Sequence, residues 1–281
     1  MTPSYSHLDA ESSKESFPVV SRRNSARFDN GAVLSPTSET SAEAFFERHA
    51  GALANCYQSG SYAQRRSLVR EIIGEELLRR NRPVTTIRLL DFGCGSGILL
   101  KDAADLGLQA TGVDSCKGMI LAARDQLAGL RKQVSLEWLR SSSAKGNYER
   151  ESYDIVLCLS VLEFLHDMRS ALSRICARVM RGGILVLSVP NRHSLLRSLE
   201  GFIYRNPRAF HCFPRLHHLT GADSYLNYQV HQFTRAELSG FLHEYGLREE
   251  QHRFHVAPPL LHCLGRFEPI GMMLMAVFRR V

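Results

Sequence analysis

The spacing of apolar and polar positions along this chain alternates between a two-residue strand habit and a 3.6-residue helix habit. Apolar runs bounded by glycine or polar residues fall near 86–91, 109–114, 134–139, 154–160 and 184–189. Helical patterns lie between them, near 96–106, 116–130 and 166–180. Such alternation predicts a parallel sheet with helices on both faces. Two more helical patterns come first, at about 41–57 and 62–80, with Phe45, Phe46, His49, Leu53 and Tyr57 recurring at helix spacing. Arg82-Pro83 ends the second, because the residue before proline avoids the α region. After the fifth strand, residues 191–233 carry only a weak helical signal, near 193–204. Thr234-Arg235-Ala236-Glu237 is a capping box that opens one more helix. A final pair of strands, near 249–256 and 271–278, brings the sheet to seven and closes it with an antiparallel edge.

Composition narrows this picture only slightly. A length of 281 residues with 44% hydrophobic content suits one α/β domain with additions. The formal charge of +7 permits nucleic acid, anionic lipid or an acidic substrate without choosing among them. Seven cysteines, at 56, 94, 116, 158, 176, 212 and 263, form no CxxC pair. They read as reduced thiols of a cytoplasmic protein, with neither disulfides nor a metal site expected. No apolar leader segment stands near the start, and the apolar run 270–278 is too short to span a bilayer. Residues 1–40 are rich in Ser, Thr and Pro and read as a disordered tail, with a processed leader or a substrate lid as alternatives.

The chemistry concentrates in Arg88-Leu89-Leu90-Asp91-Phe92-Gly93-Cys94-Gly95-Ser96-Gly97. This is a strand, a glycine turn and the start of a helix. Glycines at alternate positions let the backbone turn sharply and approach a ligand. The following helix aims its first N–H groups into the turn, which favours a carboxylate or another anion there. Asp91 precedes the glycines, where it would repel a pyrophosphate but accept bonds from loop amides or a ligand ammonium. That arrangement favours an amino-acid-like ligand over a dinucleotide. Asp114 ends the next strand, about 20 residues on, where an acid is placed to bond ribose hydroxyls at a Rossmann-like crevice. Cys94 reads as a small residue filling the tight turn.

These residues resemble the class I S-adenosylmethionine (SAM) dependent methyltransferases. Asp91 to Gly97 looks like that family's first motif, and Gly112-Val113-Asp114 like its second. The run from Ser152 to Glu163 looks like the fourth-strand motif, and Met180 to Arg192 like the Gly-Gly turn and fifth strand. The resemblance covers roughly residues 85–280 and leans towards ubiquinone-biosynthesis O-methyltransferases. It implies SAM as cofactor and a Rossmann-like sheet. It also implies a helical cap over 41–84 and a SAM-binding domain over 85–281, with residues 191–233 as a substrate lid. Two positions depart from that group's pattern. Phe164 stands where a His usually follows the motif's Glu, and Ser141-Ser142-Ser143 stand where an Asp usually meets the adenine.

Under this resemblance Gly93, Cys94, Gly95 and Gly97 pass beneath the methionine part of SAM. Asp91 orients the loop or the ammonium, and Asp114, followed by Ser115, holds the ribose. Met119 lies against the adenine, Ser142 or Ser143 meets its amine, and Ser160 offers its carbonyl near the methionine. Met119 and the serines have core packing and loop solvation as competing explanations. His231 is the expected proton acceptor, with Tyr57 or His193 as substitutes and a partly buried structural His as the competing explanation. Glu163 reads as a fold-closing hydrogen-bonder. The arginines of 191–233 (Arg192, Arg197, Arg205, Arg208 and Arg215) suit an anionic acceptor, peripheral membrane contact or a solvated face. The expected activity is methyl transfer to an oxygen of a small molecule, a phenol, hydroxyl or carboxylate. Alternatives are N- or C-methylation, an RNA methyltransferase, and a non-catalytic protein of this fold. A nicotinamide dehydrogenase is disfavoured, because the glycines are spaced G-x-G-x-G behind an acid.

Overall fold

The computed structural model describes residues 42–56, 60–140, 145–206, 208, 224–255 and 266–281. Helices α1 (Ala42–Cys56) and α2 (Gly60–Arg79) precede strand β1 (Arg88–Phe92). Then follow α3 (Ile98–Asp105), β2 (Gln109–Asp114), α4 (Lys117–Gln126), β3 (Val134–Trp138) and β4 (Tyr153–Leu159). Next come α5 (Met168–Cys176), β5 (Val179–Pro190) and α6 (Leu195–Arg205). The last elements are α7 (Arg235–Glu244), β6 (Leu247–His255) and β7 (Met273–Arg280).

The seven strands form one sheet in the order β3-β2-β1-β4-β5-β7-β6. The first five are parallel, and β1 and β4 at the centre are buried almost throughout. β7 runs antiparallel to both β5 and β6, so the reversed strand lies one place inside the edge that β6 forms. One face packs α2, α3 and α4 through Val69, Ile73, Leu100, Ile120 and Leu157, all fully buried. The opposite face packs α5 and α7 through Leu172, Ile175, Leu238 and Leu242. The capping box of α7 forms as expected, with Glu237 N–H on Thr234 Oγ1 at 3.2 Å and Thr234 N–H on Glu237 Oε2 at 2.9 Å.

Helix α5 stops at Cys176, short of the expected 180, because Val179 and Met180 already belong to β5. Tyr153 N–H donates to Arg178 O at 2.8 Å, which draws this segment into the sheet.

Two buried carboxylates tie α2 to α3 and the segment after α2 to the sheet. Asp102 of α3, 1% exposed, accepts Arg66 Nε at 2.6 Å and Arg70 Nη1 at 3.0 Å, both from α2. Asp154 of β4 accepts the Arg80 and Arg82 guanidiniums, and Arg88 N–H at 2.9 Å.

Candidate active site

Backbone conformation makes the glycine turn obligatory. Gly93, Gly95 and Gly97 have φ of +80°, +52° and +80°, in the left-handed region that side chains disfavour. A Cβ on Gly93 would sit 2.3 Å from Val161 Cγ2. The turn is pinned to β2 by Gly93 N–H and Cys94 N–H on Val113 O, at 2.8 and 3.0 Å. Gly97 then N-caps α3 without a side-chain cap, so the first amides of that helix face the turn. Cys94 is buried, and burial pushes its thiol pKa well up, in keeping with a turn-filling role.

Asp114 joins the turn to the next helix. Its Oδ2 accepts Gly95 N–H and its Oδ1 accepts Cys116 N–H, each at 2.8 Å. Burial raises its pKa, while these two amides oppose the rise. The neighbouring Ser115 carbonyl accepts Trp138 Nε1–H at 3.0 Å.

Above the turn opens a cleft of about 460 Å³. Asp91, Gly93, Cys94 and Leu159 line it from the sheet side, and Tyr62 and Arg65 from α2. Asp91 is 3% exposed. Burial pushes its pKa up to about 7, the Asp114 carboxylate adds to the rise, and the Arg65 guanidinium opposes it. Arg65 Nη1 donates to Ser160 Oγ at 2.7 Å. Ser160 itself is the one described non-glycine residue with positive φ, at 54°. Its hydroxyl is held by Arg65 at the edge of the cleft. The cleft thus sets a cation across from a buried carboxyl, over a backbone turn rich in N–H groups. That set of groups fits both ends of an amino-acid zwitterion.

The sequence pattern does not single out Arg65, nor Glu47 on α1. The Glu47 carboxylate accepts Gly118 N–H at 3.0 and 3.1 Å and the Cys116 thiol at 3.1 Å, so α1 is tied across the N-terminus of α4. These bonds lower its pKa, the thiol most. Beneath it Met119 is 2% exposed and packs with Ala50 and Cys116. Its side chain therefore fills the α1–α4 seam. On the other side of α1, Phe45 meets Tyr228 at 5.0 Å between centroids and Phe46 meets Phe164 edge-on at 5.1 Å. Phe164, which replaces the usual His, is thus an aromatic wall residue.

The structure fixes both ends of the 191–233 segment. Asn191 bridges Phe233, Arg192 N–H donates to Phe233 O at 2.9 Å, and Phe233 N–H to Pro190 O at 3.0 Å. The Asn191 amide donates to the carbonyls of Glu268 and Gly271, at 2.7 and 2.8 Å. His231 Nε2 lies 2.9 Å from Leu165 O, which fixes the neutral ring with its proton on Nε2 and leaves Nδ1 to accept. His193 pairs with Glu268 at 3.0 Å. Tyr57, Ser142, Ser143, Arg215 and residues 1–40 lie outside the described residues. Among the described residues no cluster of three potential metal ligands occurs, and no helix is long and apolar enough to cross a membrane.

A family model described as a methyltransferase domain matches residues 62–251, more than half of the chain. The chain belongs to the methyltransferase-domain family. Its curated relatives include a ubiquinone biosynthesis O-methyltransferase of Bradyrhizobium sp. (strain ORS 278), 36% identical over 107 residues. That match covers 38% of this chain and 41% of the relative. A protein of the same description from Hahella chejuensis is 36% identical over 121 residues, 42% of this chain and 50% of that one. The matches therefore span only about half the length of these relatives. Among solved structures, the magnesium protoporphyrin IX methyltransferase of Synechocystis PCC 6803 with bound SAM superposes with a TM-score of 0.56 at 14% identity. It covers 88% of this chain and 100% of that one. An O-methyltransferase family protein from Burkholderia thailandensis gives 0.55 at 15% identity, over 86% of this chain and 63% of the other. At such identities these methyltransferase structures speak to the fold, and they share it with this chain.

Proposed function

We propose that this methyltransferase-domain chain binds SAM over the β1–α3 turn and methylates a hydroxyl oxygen of a small molecule. The observation that carries the reading is the pairing of buried Asp91 with Arg65 above three glycines of positive φ. Arg65 suits the methionine carboxylate and Asp91 the ammonium. Asp114 suits the ribose hydroxyls from the end of β2. The O-methyltransferase names of the curated relatives support oxygen as the acceptor atom. When bound, SAM supplies an activated methyl on a sulfonium, so the protein has only to orient the acceptor and exclude water.

In this reading α1 closes one side of the cleft through the Glu47 bonds and the aromatic seam. Segment 191–233 closes the other as a lid over the acceptor. The exposed stripe of Leu195, Leu199 and Phe202 along α6 (66, 51 and 54% exposed) supports peripheral contact with an anionic membrane holding apolar acceptors. Co-sedimentation with anionic lipid vesicles reads that contact out, and protein left wholly in the supernatant rejects it.

Calorimetry with SAM and S-adenosylhomocysteine tests the cofactor assignment. Loss of two charge-assisted ribose bonds in Asp114→Ala should cost about 2–4 kcal/mol, roughly 30- to 1000-fold in affinity. Unchanged affinity would remove Asp114 from the site.

A further inference from the structure

Glu163 carries a carboxyl of which one oxygen is left unpaired among the described residues. It follows β4 in a short 3-10 turn, Leu162–Phe164, and is 3% exposed. The closing bonds at this place come from its main chain. Glu163 O accepts Val230 N–H at 2.8 Å and His231 N–H at 3.2 Å, and so holds the returning end of the 191–233 segment. Its side-chain Oε2 is buried with no hydrogen-bond partner among the described residues. An unpaired buried carboxyl oxygen is costly, and a ligand that completes it is one explanation.

The charged and polar groups around that carboxyl define its place. Burial pushes its pKa up to about 7, while its own amide, Arg197, Arg65 and the Ser160 hydroxyl oppose the rise. Arg65 and Ser160 belong to the cofactor cleft. Arg197 belongs to α6, where it is held by Met272 O at 3.1 Å, Glu200 at 3.0 Å and Tyr225 OH at 2.9 Å. The Cys158 thiol on β4 also feels the Glu163 charge. Glu163 therefore stands between Arg65 and Ser160 on one side and Arg197 of α6 on the other. In the reading proposed above, an acceptor entering between the cleft and α6 would meet this carboxyl. His231, the other candidate base, is anchored to Leu165 O through Nε2 and keeps Nδ1 able to accept, so the test below includes it.

We propose that the Glu163 carboxylate, rather than the His231 imidazole, accepts the proton of the acceptor hydroxyl through Oε2. The inference rests on the hydroxyl-acceptor reading above. The acceptor's O–H bond breaks and its proton passes to Oε2. The electron pair freed on that oxygen forms the new O–CH3 bond. The pair of the broken S–CH3 bond stays on the donor sulfur as a neutral thioether. The proton leaves Glu163 to water once the product departs. His231 is then a positioning residue, whose ring secures the backbone that Glu163 O grips.

The test uses catechol, a phenol that ionises well above the Glu163 carboxyl and whose ionisation is visible by ultraviolet absorbance, titrated into the full chain saturated with S-adenosylhomocysteine. An ionised carboxylate at contact raises the pKa of a bound phenol. The probe should therefore ionise at least about one pH unit higher on the wild type than on Glu163→Gln. Homocysteine-product affinity should stay within about twofold, and methylation of the probe should fall roughly 100- to 10,000-fold. Glu163→Asp, which keeps the charge, should keep the raised ionisation, and it serves if the Gln variant does not fold. His231→Ala should leave the ionisation at the wild-type value. Equal ionisation on wild type and Glu163→Gln, or a shift seen in His231→Ala instead, would overturn the assignment. So would a large loss of S-adenosylhomocysteine affinity in Glu163→Gln, which would place the residue with the cofactor. A wild type that binds S-adenosylhomocysteine but not the probe overturns the hydroxyl-acceptor reading itself, and this assignment with it.

Discussion

Cofactor affinity should depend on pH through Asp91. In the unliganded protein its carboxyl has a pKa of about 7, chiefly because it is buried. A ligand ammonium placed against it needs the ionised form and should return the pKa towards the ordinary carboxylate range. Affinity then scales with the ionised fraction of the free protein. That fraction is about 0.9 at pH 8 and about 0.1 at pH 6, so the dissociation constant for SAM should rise roughly tenfold between them. Binding at pH 6 should release close to one proton, about 0.9, which calorimetry in buffers of different ionisation enthalpy measures directly. A return of about three pKa units corresponds to a coupling of at most about 4 kcal/mol. Asp91→Asn should lose the pH slope and bind weakly throughout. Methylthioadenosine, which has no amino-acid end, should show no slope with either protein. For the unliganded protein the sign is opposite. The folded state holds the Asp91 proton more tightly than the unfolded chain, so this group stabilises the fold below about pH 4 and the stabilisation is lost as pH rises through 7. Glu163 acts in the same direction. A wild-type dissociation constant flat from pH 8 to 6, or a slope retained in Asp91→Asn, would refute the account.

Two further substitutions probe the other parts of the scaffold. Arg65→Met should weaken SAM by about 1.5–3 kcal/mol, the strength of bonds to a charged group, and leave methylthioadenosine unaffected in the same calorimeter; equal losses for both ligands would show a packing defect instead. Asp102→Ala removes a buried carboxylate but leaves Arg66 and Arg70 able to reach solvent, with 29 and 53% of their side chains exposed, so it should lower stability by about 1–3 kcal/mol in denaturant titration; a change under about 0.5 kcal/mol would show that the helices dock by apolar contact alone.

What could be read from the sequence is local in the chain. The β1–turn–α3 unit declares itself because a strand pattern, alternate glycines and a helix pattern follow one another within a few residues. Asp114 is legible because it ends the next apolar run, and the α7 capping box because its two partners stand three residues apart. The other half of the site is assembled from a distance. Arg65 finds Ser160 across 95 residues, and Glu47 finds Gly118 across 71. Within their own helices both look like ordinary solvated charges. Met119 shows the converse. Its place on α4 is as the pattern predicts, and α1 folds over it, so that it packs with Ala50 and Cys116, a contact no pattern within α4 announces. Glu163 misleads in a third way, since its closing role belongs to a main-chain carbonyl that every residue has.

The stitch between Asn191 and Phe233 carries a consequence for how such a protein can change. The chain leaves the sheet after Asn191 and rejoins it at Phe233, on one rung, with Pro190, Asn191, Arg192 and Phe233 supplying the bonds that hold the two ends together. The strand register on either side does not depend on what the excursion contains. If that excursion covers the acceptor, as proposed above, it can be exchanged as a cassette, by substitution, lengthening or recombination at its two neighbouring ends. The turn between β1 and α3 need not be redrawn each time. A short stretch of the chain is then free to diversify while the sheet keeps its form.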